Sequence, residues 1–147
     1  HAVNSSLVSI IGSDHAPHTK EEKNKNYPLS PSGMPGVQTL LPIMLNHVNN
    51  NKLKFKQLIE LVCENPCKIF GIKNKGYIKE GYDADLTIIN MKKETVLKNN
   101  WIQSKCGWTP FNNYKIKGFP VATIVNGEII MANNKILSRA LGKPLTF

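Results

Sequence analysis

The sequence lacks any apolar run close to the ~20 residues of a membrane-spanning helix, so no membrane partner is expected. Arginine is also nearly absent. Arg139 is the only arginine among 19 basic residues, and lysine therefore carries the net charge of +9. Because arginine makes the commonest specific contacts to bases, this composition favours a solvated lysine surface over a nucleic-acid-binding protein.

Cysteine is scarce as well, with Cys63, Cys67 and Cys106 as the three examples. An odd number of cysteines without a signal peptide predicts a reducing, cytoplasmic location and no disulfide framework. No second Cys/His pair accompanies Cys63 and Cys67 to complete a zinc site. We interpret the three as small, buried apolar side chains.

Length sets a further limit. At 147 residues and 41% hydrophobic content, the chain has material for one globular domain, or one and a half small ones. A complete (β/α)₈ barrel needs roughly 250 residues, which this chain does not have. Residue 1 is His rather than Met, which predicts a processed, tagged or truncated product.

The first half of the sequence reads as strand, loop and helices. Residues 7–11 form an apolar run without alternation, which is typical of a strand buried on both faces in a parallel sheet. Residues 19–36 are polar and rich in proline and glycine, which predicts a long functional or mobile loop. Helical periodicity covers 37–48, with a kink or late start at Pro42, and also 55–62. A short helix capped by Asn65 is expected to end at Gly71.

The second half favours antiparallel strands. Residues 85–89 are a strand candidate, and residues 123–131 form a hairpin pattern around Asn126-Gly127, a pair suited to a type I′ turn. Asn133-Asn134 turns toward a third strand at 136–137. Asp83 and Asp85 flank the turn into the first strand, and we interpret them as turn residues rather than a catalytic pair.

The chemistry-bearing residues lie just past the first predicted strand, in residues 13–18 (SDHAPH). Ligands collect at the carboxyl ends of strands in α/β sheets and barrels. Asp14 could bind a divalent metal or accept a proton, and His18 could bind metal or donate to an anionic group. A turn-capping role for Asp14 is the structural alternative.

Several stretches share the motifs and order of one enzyme family. They are residues 13–19 (SDHAPHT), 21–23 (EEK), 31–39 (PSGMPGVQT), 65–71 (NPCKIFG), 76–86 (GYIKEGYDADL) and 104–111 (SKCGWTPF). In these stretches the sequence resembles the dihydroorotases, cyclic-amide hydrolases of the amidohydrolase superfamily, over nearly its whole length. The Gly-Tyr-Asp-Ala-Asp-Leu string is shared across the superfamily. The Asp-His-Ala-Pro-His string is more specific, since hydantoinases and allantoinases differ where His18 stands.

The resemblance implies roles for particular residues. Asp14 matches an aspartate that ligates one metal of a two-zinc centre and acts as general base and acid. His18 matches the histidine that binds the substrate carboxylate. Backbone groups around Ser32 and Gly33, together with Pro35-Gly36, match the loop that holds the pyrimidine ring. His15 matches a position that is not a ligand, so a structural role is expected for it. Trp108 and Phe111 are expected to pack the second half against the barrel.

The sequence departs from the family in its other metal ligands. The family's His-x-His pair, carboxylated lysine and two further histidines are absent, and catalytic zinc normally needs three protein ligands. The implied fold class is therefore α/β: the C-terminal part of a (β/α)₈ metal-dependent hydrolase barrel over residues 1–72, then a small β-sandwich subdomain over 73–147. The isolated chain is expected to be inactive.

The implied activity is the zinc-dependent interconversion of dihydroorotate and N-carbamoyl-L-aspartate in pyrimidine synthesis. The expected partner is a small anionic substrate, and the complete form is expected to be a homo-oligomer. Two alternatives remain open. One is another cyclic amidase, such as a hydantoinase or allantoinase. The other is a non-catalytic scaffold, either a pseudoenzyme domain or a basic nucleic-acid binder.

Overall fold

The computed structural model describes residues 1–138 and 142–147, so Arg139 lies outside the described residues. The helices are α1 (Lys20–Lys23), α2 (Leu40–Asn49), α3 (Phe55–Ile59), a π-helix (Glu60–Glu64), α4 (Asn65–Phe70) and a 3₁₀ turn (Asn99–Trp101). The strands are β1 (Leu86–Val96), β2 (Lys115–Val125), β3 (Glu128–Ala132) and β4 (Lys135–Ile136).

The strand predicted at residues 7–11 does not form, and this prediction is wrong for the described residues. Leu7 is 78% exposed, and the segment's link to the core is a hydrogen bond from the Ile11 N–H to the Leu61 carbonyl at 3.2 Å. Val8 and Ile11 still pack against the apolar cluster beneath them. A strand is completed by hydrogen bonds to a neighbouring strand, and among the described residues no strand lies beside this segment.

A nearly continuous helical segment replaces the two helices expected between residues 55 and 71. The π-helix joins α3 to α4 immediately before Pro66, which has no N–H to offer the preceding turn. Asn65 is therefore helical and is not the predicted cap. Its N–H bonds to the Glu60 carbonyl, and its side-chain amide donates to the Ser9 carbonyl at 2.8 Å. The predicted stop at Gly71 is confirmed by its left-handed φ of 67°.

The second half is one antiparallel sheet in the order β1-β2-β3-β4. The predicted hairpin is confirmed: Asn126 and Gly127 have φ values of 50° and 84°, as a type I′ turn requires. Asn133 and Asn134, at 50° and 64°, join β3 to β4 in the same left-handed region. A second sheet facing this one, as in a sandwich, stays a prediction, as do the barrel and the division at residue 72.

Two apolar clusters hold the helices and the sheet together. The first contains the buried side chains Leu45, Leu53, Leu58 and Leu61. The second contains the buried side chains Leu97, Ile116 and Phe119, with Ile43, Trp101 and Phe111 packed against it. Because Ile43 lies on α2, the second cluster ties that helix to the sheet. Phe111 packs on this second cluster, and its expected packing against the barrel stays a prediction.

The close approach of α2 to β2 depends on a glycine. Gly118 has a φ of +95°, and a Cβ there would lie 2.9 Å from the Leu45 Cβ. Polar bonds fix the same contact: the Lys117 N–H donates to Asn46 Oδ1 at 3.0 Å, and Asn49 Nδ2 donates to the Lys117 carbonyl at 2.8 Å. The helix and strand therefore meet in one register.

Across residues 1–138 and 142–147, no helix has both the length and the apolar character needed to cross a membrane.

We predict that Gly118→Ala lowers the free energy of unfolding by about 2–4 kcal/mol, since it adds steric overlap to a strained φ. The matched control is Gly81→Ala, because Gly81 has a similar φ of +82° but open space around it. The control should lose only about 1 kcal/mol. Urea denaturation followed by circular dichroism measures both, and equal losses would contradict the close-approach argument.

Candidate active site

Asp14 lies in a strained turn at the start of the candidate site. Its side chain is exposed, and its φ of 41° is in the left-handed region, which is costly for a residue with a Cβ. The helix that follows, α1, is capped by Thr19, whose hydroxyl accepts from the Glu22 N–H at 3.2 Å, and a turn-capping role for Asp14 stays an alternative. Strained residues of this kind cluster at functional sites.

His18 is held through both of its peptide groups. Its N–H donates to the Ala16 carbonyl at 2.9 Å, and its carbonyl accepts from Trp108 Nε1 at 2.7 Å. Its Nδ1 lies 3.8 Å from the Glu22 carboxylate. The Thr19 N–H bonds to that carboxylate at 2.7 Å and, with His18, lowers the pKa of Glu22. The half-exposed Glu22 therefore stays ionised at neutral pH.

The loop that carries Ser32 and Gly33 folds back onto the Asp14–His18 segment. A Cβ at Gly33 would lie 2.6 Å from the Ala16 Cβ, and the Ala16 N–H donates to the Met34 carbonyl at 3.0 Å. Only a glycine permits this approach, and the φ of +85° at Gly33 also favours glycine. The structure thus brings Asp14, His18, Ser32 and Gly33 into one region, and their roles stay a prediction.

Lys23 organises the far side of the same loop. Its ammonium group donates to the Pro31 carbonyl at 2.5 Å and to the Gly33 carbonyl at 3.1 Å. Its own carbonyl accepts from the Ser30 hydroxyl at 3.0 Å. These bonds give residues 19–36 a defined path, and the sequence contained no sign that one lysine among eighteen would have this role.

His15 makes the structural contacts expected of it. Its Nδ1 accepts from the Gly36 N–H at 3.1 Å, which leaves the ring proton on Nε2. Gly36 is itself pressed against the turn, since a Cβ there would lie 2.7 Å from the Ser13 carbonyl oxygen. The contact fixes the start of α2 relative to the Asp14 turn.

A cavity of about 300 Å³ lies between this loop and the segment after the 3₁₀ turn. Its walls are formed by His15, Pro35, Val37, Gln38, Thr39, Ile102, Gln103 and Ser104. Gln38 bridges the two sides: its Nε2 donates to the Trp101 carbonyl at 2.9 Å and its Oε1 accepts from the Gln103 N–H at 2.8 Å. Sequence reasoning missed this bridge, because nothing local connects residues so far apart.

The zinc centre implied by the resemblance does not fit the described residues alone. Within them, no group of three or more His, Cys, Asp or Glu side chains could hold a metal ion. Asp14 and His18 supply two candidate ligands, whereas catalytic zinc sites use three protein ligands and an open position. Any metal chemistry at this site would need ligands beyond those described here.

Cys63 and Cys67 contact Gly76 at a place outside the candidate site. A Cβ at Gly76 would lie 3.0 Å from both the Cys63 carbonyl oxygen and Cys67 Sγ. Burial raises the pKa of the Cys63 thiol, and the neighbouring Cys67 and Glu64 add to the effect. All three cysteines are free. They were predicted to be buried, and the structure shows them half-buried.

Asp83 and Asp85 each form an ion pair with Lys75 at the turn before β1. Lys75 Nζ lies 2.9 Å from the Asp83 carboxylate and also bonds to the Asp85 carboxylate. Asp85 accepts from the Asn126 N–H at 2.7 Å, which ties the turn before β1 to the hairpin. The bonds from Lys75 and then Asn126 lower the pKa of Asp85, and those from Asp85 and Asp83 raise the pKa of Lys75.

We predict that Asp85→Asn lowers the free energy of unfolding at pH 7 by about 1 kcal/mol. Because the folded pKa of Asp85 is below its ordinary value of 3.8, the stabilisation is present above pH 4. It should be lost as the pH falls through the folded pKa. Unfolding curves at several pH values measure this, with the exposed Glu80→Gln as control. A difference that did not depend on pH would contradict the assignment.

Comparisons with known proteins place the chain in a family. The model of the Amidohydrolase family matches residues 1–130. A dihydroorotase of Methanosphaera stadtmanae is 46% identical over 126 residues, which are 86% of this chain and 29% of that protein. One of Pyrococcus furiosus is 40% identical over 92% of this chain and 32% of that protein. The chain thus spans about a third of the length of these curated relatives.

Solved structures agree with the sequence relatives. The L-hydantoinase (dihydropyrimidinase) from Arthrobacter aurescens superimposes with a TM-score of 0.85 at 32% identity, over 93% of this chain and 32% of that one. A D-hydantoinase (dihydropyrimidinase) from Thermus sp. has a TM-score of 0.87 at 20% identity, which shows the fold alone, over 94% of this chain and 31% of that one. On these matches, the chain belongs to the amidohydrolase family.

Proposed function

We propose that the chain supplies part of the active site of a dihydroorotase, which interconverts dihydroorotate and N-carbamoyl-L-aspartate. The observation that carries this proposal is the contact of Gly33 with Ala16, the residue midway between Asp14 and His18. The dihydroorotases of Methanosphaera stadtmanae and Pyrococcus furiosus, 46% and 40% identical to this chain, support the choice of substrate.

In this proposal Asp14 moves the proton. Its exposed carboxylate takes a proton from the attacking water as the oxygen adds to the ring carbonyl carbon, and it returns that proton to the ring nitrogen as the C–N bond breaks. The reverse reaction closes the ring by the same transfers. The φ of Asp14 sets the direction of its Cα–Cβ bond before substrate arrives, and the carboxylate then moves only through the side-chain torsions.

His18 binds the substrate carboxylate. Since its Nδ1 faces Glu22, its Nε2 is the ring nitrogen available to donate to an anion. In this proposal the main-chain groups of Ser32 and Gly33 hydrogen-bond to the substrate ring, and the missing side chain of Gly33 lets the loop that carries them lie against Ala16. Zinc, the pyrimidine pathway, a cytoplasmic location and a homo-oligomeric form stay predictions for the complete protein.

A hydantoinase-type activity is the second candidate, favoured by the fold match to the L-hydantoinase from Arthrobacter aurescens at 32% identity. Assays of the full-length protein containing this chain with dihydroorotate, hydantoin and allantoin separate the two candidates. Turnover of dihydroorotate alone supports the first proposal. Hydantoin as the preferred substrate would support the second. Steeply salt-dependent binding of RNA or DNA without turnover would instead support a non-catalytic nucleic-acid binder.

We predict that the 147-residue chain alone does not hydrolyse dihydroorotate, since the described residues hold no set of metal ligands. Turnover measured with added Zn²⁺ checks this prediction. The coding sequence upstream should encode a His-x-His motif at the end of an apolar strand. Robust zinc-dependent turnover by the isolated chain would contradict the prediction.

We predict that Asp14→Asn in the full-length protein lowers kcat by about 10²–10⁴-fold, because it removes the proton-transferring carboxylate and keeps its shape. Steady-state kinetics with dihydroorotate measure the loss. The matched control is Glu21→Gln, an exposed acid on α1, which should leave kcat within about twofold of the parent. A similar loss in both variants would contradict a specific role for Asp14.

We predict that His18→Ala raises KM for dihydroorotate by about 10- to 100-fold, since it removes a charge-assisted hydrogen bond to the substrate carboxylate. His47→Ala is the control, because His47 lies in α2 away from the Asp14–His18 segment. The same kinetic assay measures both variants. An unchanged KM in His18→Ala would contradict the assignment of the carboxylate to His18.

A further inference from the structure

One side chain from the half of the chain that forms the sheet, residues 73–147, hydrogen-bonds to a residue of the proposed substrate site. Trp108 donates its indole N–H to the His18 carbonyl oxygen at 2.7 Å, across 90 residues of sequence. His18 precedes the Thr19 cap and lies outside any helix. The bond adds to the hydrogen bond of 2.7 Å from the Thr19 N–H to Glu22, so the peptide group between His18 and Thr19 is held at both its carbonyl and its N–H.

The bond completes the restraint of the His18 main chain. The N–H of His18 is already held by the Ala16 carbonyl, and Ala16 is held by the Met34 carbonyl. With Trp108 on the carbonyl, the peptide groups on both sides of the His18 Cα are fixed. The direction of the Cα–Cβ bond is then set, and the imidazole moves only through its side-chain torsions.

The residues around Trp108 are anchored to the sheet and its buried cluster. The neighbouring Thr109 is 3% exposed, and its N–H donates to Asn99 Oδ1 at 2.9 Å. The Asn99 N–H in turn donates to Asn112 Oδ1 at 2.9 Å. Trp101 and Phe111, on either side of Trp108 in sequence, pack against the buried cluster of Leu97, Ile116 and Phe119. The main chain at Trp108 is thus anchored beside this buried cluster, and the indole is held by its bond to the His18 carbonyl.

We propose that Trp108 is a positioning residue for substrate binding: its indole N–H places His18 so that the imidazole meets the carboxylate of the cyclic substrate. The inference rests on the proposed function, since it takes the role of His18 from there. Trp108 acts only through the His18 main chain and does not touch substrate. The sheet half would then contribute to affinity without supplying a group to the reaction.

The test is a double-mutant cycle in the full-length protein with dihydroorotate as substrate. Trp108→Phe removes the indole N–H and keeps an aromatic ring. We expect it to raise KM about three- to tenfold, the range for one hydrogen bond, with kcat within twofold. In the His18→Ala background the same change should leave KM unaltered, because the group it positions is gone. Trp101→Phe is the control, since the Trp101 ring packs on Phe119 with 5.3 Å between ring centroids, in the buried cluster of the sheet.

Equal effects of Trp108→Phe with and without His18 would overturn the inference, as would an unchanged KM in the single variant. If the parent protein does not turn over dihydroorotate, the proposed function fails, and the inference fails with it. If Trp108→Phe lowers the melting temperature, benzothienylalanine at position 108 keeps the ring shape and removes only the N–H. The double-mutant cycle is then repeated with this variant. Faster hydrogen exchange at the backbone amides of His18 and Thr19 in the variant would show that the main chain there is less restrained.

Discussion

The contact between α2 and β2 is the constraint on which the rest of the arrangement depends. Leu45 is fully buried and faces Gly118, where no side chain intervenes. The helix can approach the strand closely enough for Asn46 and Asn49 to bond to the Lys117 main chain. Because α2 begins where the loop of residues 19–36 ends, this contact also sets where that loop lies relative to the sheet.

The candidate site is assembled from short approaches between main chains. Gly33 lies against Ala16, and Gly36 lies against Ser13. The left-handed backbone of Asp14 costs about 1–3 kcal/mol in general and persists only where neighbouring contacts hold it. The contacts of Gly33 and Gly36 with this segment are the kind of contacts that hold a strained residue in place. The site therefore combines a strained acid with a loop that is fixed beside it. Moving the loop away would break the contacts that hold the residues leading into α2.

The sequence predicted features whose causes are local. The Asn126-Gly127 hairpin and the Gly71 helix stop follow from the left-handed conformations that these residues adopt readily. The strand at residues 7–11 was predicted wrongly, because a strand exists only with a partner. The full length of β2 was missed because Gly118 and Pro120 resemble strand breakers. Pro120 is accommodated next to a register shift opposite Ile88 and Ile89.

The candidate site was predictable only in part. Asp14 and His18 were named as candidates because both lie in one short motif, residues 13–18. Gln38, Gln103 and Trp108 were missed in their present roles, since their hydrogen bonds join residues more than 60 positions apart. No periodicity or spacing in the sequence reports such a contact. Tertiary packing creates it after the helix and the sheet have met.

The bonds of Lys23 give the lysine-rich composition a consequence for chemical modification. The Lys23 ammonium holds the Pro31 and Gly33 carbonyls of the loop of residues 19–36, so a loss of its charge has a structural cost. Acylation would remove two of its three N–H donors together with its charge, whereas monomethylation keeps the charge and two donors. Reagents that acylate lysine should thus disturb the loop of residues 19–36, while reductive methylation that stops at one methyl group should leave it in place.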